Sequence, residues 1–169
     1  IAAHAAELVE QGTAPSEIEV LYRANFQSRV LEDAFLAADV PYRVLGTRFF
    51  DRKEVKDTLS YLRAALNTES WADIARTINT PQRGIGKVTF EKLQQNGVEG
   101  LMGKARERVE EYFAILARIR TYAHEYPCSE AIKYTLTASG IERSLTTGLE
   151  EDEERLQNVK ELASLAATR

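Results

Sequence analysis

Cysteine and histidine are nearly absent from this chain. Cys128 stands alone among 169 residues, and His4 and His124 are the only histidines. A single thiol excludes an internal disulfide and suits a reducing compartment. Three such side chains are too sparse for a metal centre, so none is expected. No apolar run is long enough to cross a bilayer and nothing reads as a signal peptide, so no membrane partner and a cytoplasmic location are expected. The chain has no G-x-x-x-x-G-K-[S/T] loop to cradle phosphates. It has no acidic pair placed to hold Mg²⁺ and no histidine set as a base beside a nucleophile. Taken alone, it is expected to catalyse nothing.

What is present is an ordinary globular composition. Hydrophobic residues make up 44% and charged residues 28%, enough for a core and a soluble surface. With 22 basic and 26 acidic residues, the net charge is −4. That balance excludes a surface coated in basic charge, so any nucleic-acid contact must be a local patch. The chain starts at Ile1 and stops within a helical pattern, and it reads as a piece of a longer protein.

Apolar spacing divides the chain in two. Residues 1–11 read as a helix closed by Gly12. Ile18 to Tyr22 reads as a strand, being rich in β-branched and aromatic residues. A helix follows, with Asn25 as N-cap and Val30, Leu31, Ala34, Phe35 and Ala38 on its buried face. Val40-Pro41 breaks it, and Tyr42 to Leu45 reads as a second short strand. Helix, strand, helix, strand implies part of a parallel α/β unit. Two strands cannot bury both faces of a sheet, so the remainder is expected outside this chain.

Beyond about Asp51 the pattern is helical. Val55, Leu59, Leu62 and Leu66 share one face, and Asp51 with Glu54 resembles a capping box. Ser70 and Asp73 form a second such start. Val109, Tyr112, Phe113, Leu116, Ile119 and Ala123 mark a long amphipathic helix. Ser129 is expected to cap the next one, and Gly140 separates it from a short segment. Leu156, Val159, Ala163 and Ala166 stripe the last helix. The acidic run Glu150 to Glu154 heads that helix, where negative charge meets the positive end of the dipole. The expected fold class is mainly α: a helical domain preceded by a partial α/β segment.

Three stretches can carry chemistry. Thr80-Pro81-Gln82-Arg83-Gly84-Ile85-Gly86-Lys87-Val88-Thr89 places two glycines around one apolar residue ahead of a helix. Glycine allows a close backbone approach, and a helix start offers unpaired N–H groups to an anion. Arg83 and Lys87 add positive charge, which suits a sequence-independent grip on nucleic-acid phosphate. A helix–turn–helix corner without a ligand fits these ten residues equally well. Tyr22 and Arg23 sit where a strand meets a helix, the position at which open α/β sheets collect ligands. On position alone, a packed tyrosine and an arginine paired with Glu32 or Asp33 fit better. Arg48 to Glu54 mixes two aromatics with three basic residues, as base-stacking platforms do; a hinge with at least one phenylalanine in the core fits it better.

Taken in order, these segments resemble the superfamily 1 DNA helicases of the UvrD/PcrA/Rep type. Leu21-Tyr22-Arg23-Ala24-Asn25-Phe26-Gln27-Ser28-Arg29-Val30-Leu31-Glu32 looks like motif IV of that family. Pro41 to Gly46 and Arg48 to Asp57 resemble the segment that follows it. Ile78 to Gly86 looks like the family's GIG element. The resemblance implies an ATP-driven 3′→5′ DNA translocase with RecA-like domains 1A and 2A and helical insertions 1B and 2B. Residues 1–46 would then be the leading part of 2A, and residues 47–169 would be 2B.

By the same resemblance, Tyr22 stacks on adenine, and Arg23 reaches the γ-phosphate and steadies charge in the transition state. Thr80, Arg83, Gly84, Ile85, Gly86, Lys87 and Thr89 would contact duplex backbone near the single-strand/duplex junction. ATP and Mg²⁺ would serve the whole enzyme, with none expected on this chain alone. Thr47 replaces a second glycine that many relatives carry, and Phe26 replaces the usual alanine. Two other roles fit the sequence: docking of repair proteins or self-association through the 2B region, and membership of an AddA/RecB-type helicase–nuclease.

Overall fold

The computed structural model describes residues 1–23 and 25–167, without the side chain of Asn25. The N-cap expected of Asn25, and Ala24 within the motif-IV-like segment, lie outside the described residues. The chain divides into two compact units, Ile1–Arg52 and Lys53–Arg169. As the apolar spacing implies, the fold is mainly α, with no strand among the described residues.

The first unit is built on helices α1 (Ala2–Glu10) and α2 (Ser28–Ala37). Gly12, at φ 96°, turns the chain out of α1 in the left-handed region that favours glycine. Ala2, Ala5, Phe35 and Val40 form the core, with Val9, Ile18, Val20 and Leu31 packed against it. Val30, expected on the buried face, is exposed instead. Asp39 closes α2 at φ 53°, and the Val40 amide reaches back to the Phe35 carbonyl at 3.1 Å. Aspartate tolerates that left-handed step better than most residues.

The strands expected at residues 18–22 and 42–45 do not form. Ile18 and Val20 are half-buried while Glu19 and Leu21 are exposed, so the two-residue period of a strand is there. A ladder also needs a neighbour to exchange N–H···O bonds, and no described segment supplies one. Both segments instead line an open groove of about 880 Å³, with Tyr22, Phe35, Tyr42 and Val44 on its walls. Of the two adjacent phenylalanines, Phe49 is buried beneath the Arg52 guanidinium and Phe50 is exposed.

The second unit is a helical bundle around α3 (Lys53–Leu66), which contacts α4 (Trp71–Thr77), α6 (Gly103–Glu125), α7 (Cys128–Ser139) and α9 (Glu150–Ala167). Helices α5 (Lys87–Asn96) and α8 (Ile141–Leu145) complete it. A helix with neighbours on several sides buries more than one stripe. Alongside Val55 and Leu62, α3 therefore buries Glu54, Asp57, Thr58, Ser60 and Tyr61. Each buried polar group needs a partner. Thr58 donates to the Glu54 carbonyl, the Asn158 amide donates to Glu54 Oε1 at 2.6 Å, and Arg76 pairs with Asp57 at 2.7 Å. Burial pushes the Asp57 carboxyl up from its usual range, against the pull of Arg76. Arg120 Nε donates to the Ala65 carbonyl at 2.6 Å, tying α6 to the end of α3.

Helix starts differ from the expected caps. Helix α3 begins at Lys53, with Glu54 in its first turn. Ser70 bonds the Asp73 side chain at 2.7 Å rather than a backbone amide. Ser129 lies buried inside α7, whose N-cap is Pro127. Among the described residues no helix is long and apolar enough to cross a membrane.

Asn158→Ala should leave the buried Glu54 carboxylate without its amide donor. The expected loss is about 2 kcal/mol, the scale of a stranded buried polar group. A shift in the urea midpoint at unchanged slope would register it.

Candidate nucleic-acid interface

The glycine-flanked corner between α4 and α5 is built from the inside. Asn79 Oδ1 accepts the amides of Arg83 at 2.8 Å and Ile85 at 3.1 Å, which folds the loop back on itself. An asparagine side chain in this role substitutes for a backbone acceptor. The Ile85 side chain is 3% exposed and plugs the core. Such burial contributes about 2 kcal/mol. Gly84 lies at φ 70°, a conformation that L side chains rarely adopt, and the Thr80–Pro81 peptide is cis.

The Arg83 side chain points inward. Its guanidinium donates to the carbonyls of Thr77 at 3.4 Å, Pro81 at 3.0 Å and Ser139 at 2.5 Å. It also lies over the rings of Tyr61 and Tyr112, 5.7 and 6.0 Å from their centroids. Tyr61 aims its hydroxyl at the carbonyls of Thr77 and Thr80. The Thr77 hydroxyl donates to the Asp73 carbonyl at 2.7 Å, which leaves Tyr112 as the donor in their 2.7 Å contact. Burial pushes both phenols up from their ordinary value, Tyr112 to about 12, despite the nearby Arg83.

The outer side of the corner is open. Gly84, Gly86, Lys87 and Val88 are exposed, and Thr89 is half-buried. Gly86 is the N-cap of α5 and makes no side-chain cap. The first-turn amides therefore have neither an intrahelical acceptor nor a cap. Lys87 pairs loosely with Glu91 at 3.8 Å. Arg108, from α6, donates to the Gly84 carbonyl at 3.0 Å.

Of the residues expected on DNA, Gly84, Gly86, Lys87 and Thr89 thus gather around the open helix end. Thr80, Arg83 and Ile85 serve the inner scaffold through a carbonyl, a guanidinium and a side-chain plug. Tyr61, Asn79, Tyr112 and Arg108 complete the corner, and sequence reasoning gave none of them a site role. Only Asn79, just ahead of Thr80-Pro81, carries a local turn signal. Tyr22 and Arg23 lie in the other unit; Tyr22 is 36% exposed on the groove wall and Arg23 is exposed. Two residues of the acidic head of α9 are engaged within the chain: Arg155 pairs with Glu151 and Asp152, and Thr147 donates to Asp152. Among the described residues no cluster of histidine, cysteine, aspartate or glutamate could hold a metal ion.

The chain as a whole has a family match. The UvrD-like helicase C-terminal domain matches residues 1–168. The chain belongs to that family. A protein named ATP-dependent DNA helicase PcrA from Staphylococcus epidermidis is 34% identical over 167 residues, covering 89% of this chain and 23% of its own length. One named DNA helicase II from Escherichia coli is 33% identical over 173 residues, covering 92% of this chain and 24% of its own. The UvrD-like chain therefore spans about a quarter of the length of these curated relatives.

Two outcomes are expected of this UvrD-like corner. Asn79→Ala removes one acceptor from two amides and should cost about 2 kcal/mol, with hydrogen exchange at Arg83 and Ile85 accelerated ahead of the rest of the bundle. Because Tyr61 and Tyr112 hold their protons more tightly folded than unfolded, their contribution is complete below about pH 10 and is lost as pH climbs above it. Melting temperatures followed from pH 9 to 12 should fall, and Tyr112→Phe should make that fall shallower.

Proposed function

We propose that this chain contributes the leading part of domain 2A, residues 1–46, and domain 2B, residues 47–169, to an ATP-dependent 3′→5′ DNA helicase of the UvrD branch. The observation that carries the reading is the open start of α5: uncapped amides behind two exposed glycines, on a corner braced from within. Amides in that setting suit one phosphate of a duplex strand and read no base. Lys87 and Thr89 would flank the phosphate. Thr80, Arg83 and Ile85 would hold the corner in shape.

In the whole enzyme, ATP would lie between 1A and 2A. Tyr22 would stack on adenine, and Arg23 would reach the γ-phosphate with two hydrogen bonds. Exposure of both residues is compatible with such a role. The phosphate cradle and the Mg²⁺ ligands would come from outside these 169 residues, and no metal-dependent step is assigned to them. A cytoplasmic location fits a DNA-unwinding enzyme. The relatives' names, PcrA and DNA helicase II, support the UvrD branch over an AddA/RecB-type helicase–nuclease. A protein-docking role draws less support, because Glu151 and Asp152 of the acidic run that would favour it are bonded within α9 and its entry turn.

Gly86→Asp tests the reading. Gly86 has ordinary backbone angles, and a Cβ there would meet nothing within 4 Å. Aspartate is a strong N-cap, so stability should hold or rise by a few tenths of a kcal/mol. Its carboxylate would cover the amides and repel phosphate. Fluorescence anisotropy with duplexes of unrelated sequence should show sequence-independent, salt-sensitive binding that falls at least tenfold in the variant. Undiminished binding by a folded Gly86→Asp chain would remove the amides from the interface.

A further inference from the structure

Two arginines reach the corner and are used in opposite ways. Arg83 spends its donors on the carbonyls of Thr77, Pro81 and Ser139 and buries its face against two tyrosine rings. Arg108 stays at the surface. Its Nη1 bonds the Gly84 carbonyl, and a Cβ on residue 84 would lie 2.6 Å from Nη1 and 3.0 Å from Cζ. The guanidinium therefore sits over the bare α-carbon of Gly84, a seat that a side chain there would fill.

A neutral carbonyl aims the cation without discharging it. Arg108 takes part in none of the ion pairs among the described residues. Lys104 stands four residues before it on α6, and Glu111, three residues after it, makes no ion pair with it. An arginine that keeps its charge and most of its five donors, seated over Gly84 two residues before the N-cap of α5, is matched to a phosphate oxygen.

We propose that Arg108 is a phosphate-contacting residue of this corner and that Arg83 is a positioning residue that does not meet DNA. The assignment rests on the duplex-backbone reading above. The target is the phosphate adjoining the one held by the α5 amides, on the same strand. The cation named by the sequence motif faces inward, and the cation facing DNA comes from a helix some twenty residues later.

The salt dependence of binding separates these roles. Each neutralised phosphate adds about 0.9 to the slope of log K against log salt concentration. For the 169-residue chain and a short duplex, Arg108→Gln should lower the slope by about 0.9, a difference of about 3.5-fold between 50 and 200 mM salt. Its circular dichroism should be unchanged, because Arg108 is exposed. Arg83→Gln should weaken binding at every salt concentration and leave the slope alone. In the unaltered chain, the arginine Nε–H resonance of Arg108 should move on adding duplex while that of Arg83 stays, which covers an Arg83 variant that fails to fold. An unchanged slope in Arg108→Gln, or a duplex-dependent shift at Arg83 alone, overturns the assignment. Complete failure of the unaltered chain to bind duplex overturns the corner reading itself and this inference with it.

Discussion

The second unit depends on satisfying carbonyl groups that a tight corner turns inward. The loop from Thr77 to Gly86 doubles back between helices and presents the carbonyls of Thr77, Thr80 and Pro81 to the interior, where the last carbonyl of α7 also arrives. Buried acceptors without donors would undo the fold. Arg83 and Tyr61 supply those donors, and the tyrosine rings shield the guanidinium from water. Because the inner side is satisfied this way, the loop's outer side is left with glycines and uncapped amides. The scaffold and the candidate interface are two faces of one solution.

The first unit shows the opposite condition. Its core forms from α1 and α2 with Ile18 and Val20 of one extended segment packed against it, yet the backbone of that segment has no ladder. Apolar side chains bury on one side at the two-residue period and face a groove at their ends. Hydrophobic contact alone holds an extended chain in place but does not make it a strand, because strand identity belongs to a pair.

Legibility in the sequence followed range. Helices with a clean apolar stripe were readable: α6 buries Val109, Tyr112, Leu116 and Ile119 as its spacing implies. Gly12 and Gly140 marked the ends of α1 and α7 through local backbone chemistry. What depends on distant neighbours was not readable. Nothing beside Tyr61 says that Thr80 will accept its hydroxyl, nineteen residues away. The buried polar face of α3 exists only because other helices surround it. Arg83 was assigned by charge and adjacency to the glycines, and neither indicates which way a long flexible side chain turns. The motif order located the corner, whereas the division of work among its side chains required three dimensions.

The bond from Arg83 to the last carbonyl of α7 joins positions 56 residues apart. Gly140, the next residue, sits where a Cβ would come within 3.9 Å of Pro81. A pull on the glycine corner is therefore borne at once by the α7–α8 elbow, and does not have to travel through α5. The inner side of the loop is braced against that elbow in the manner of a strut. Tension on it would be shared by α7 and α8 before any one helix unwound.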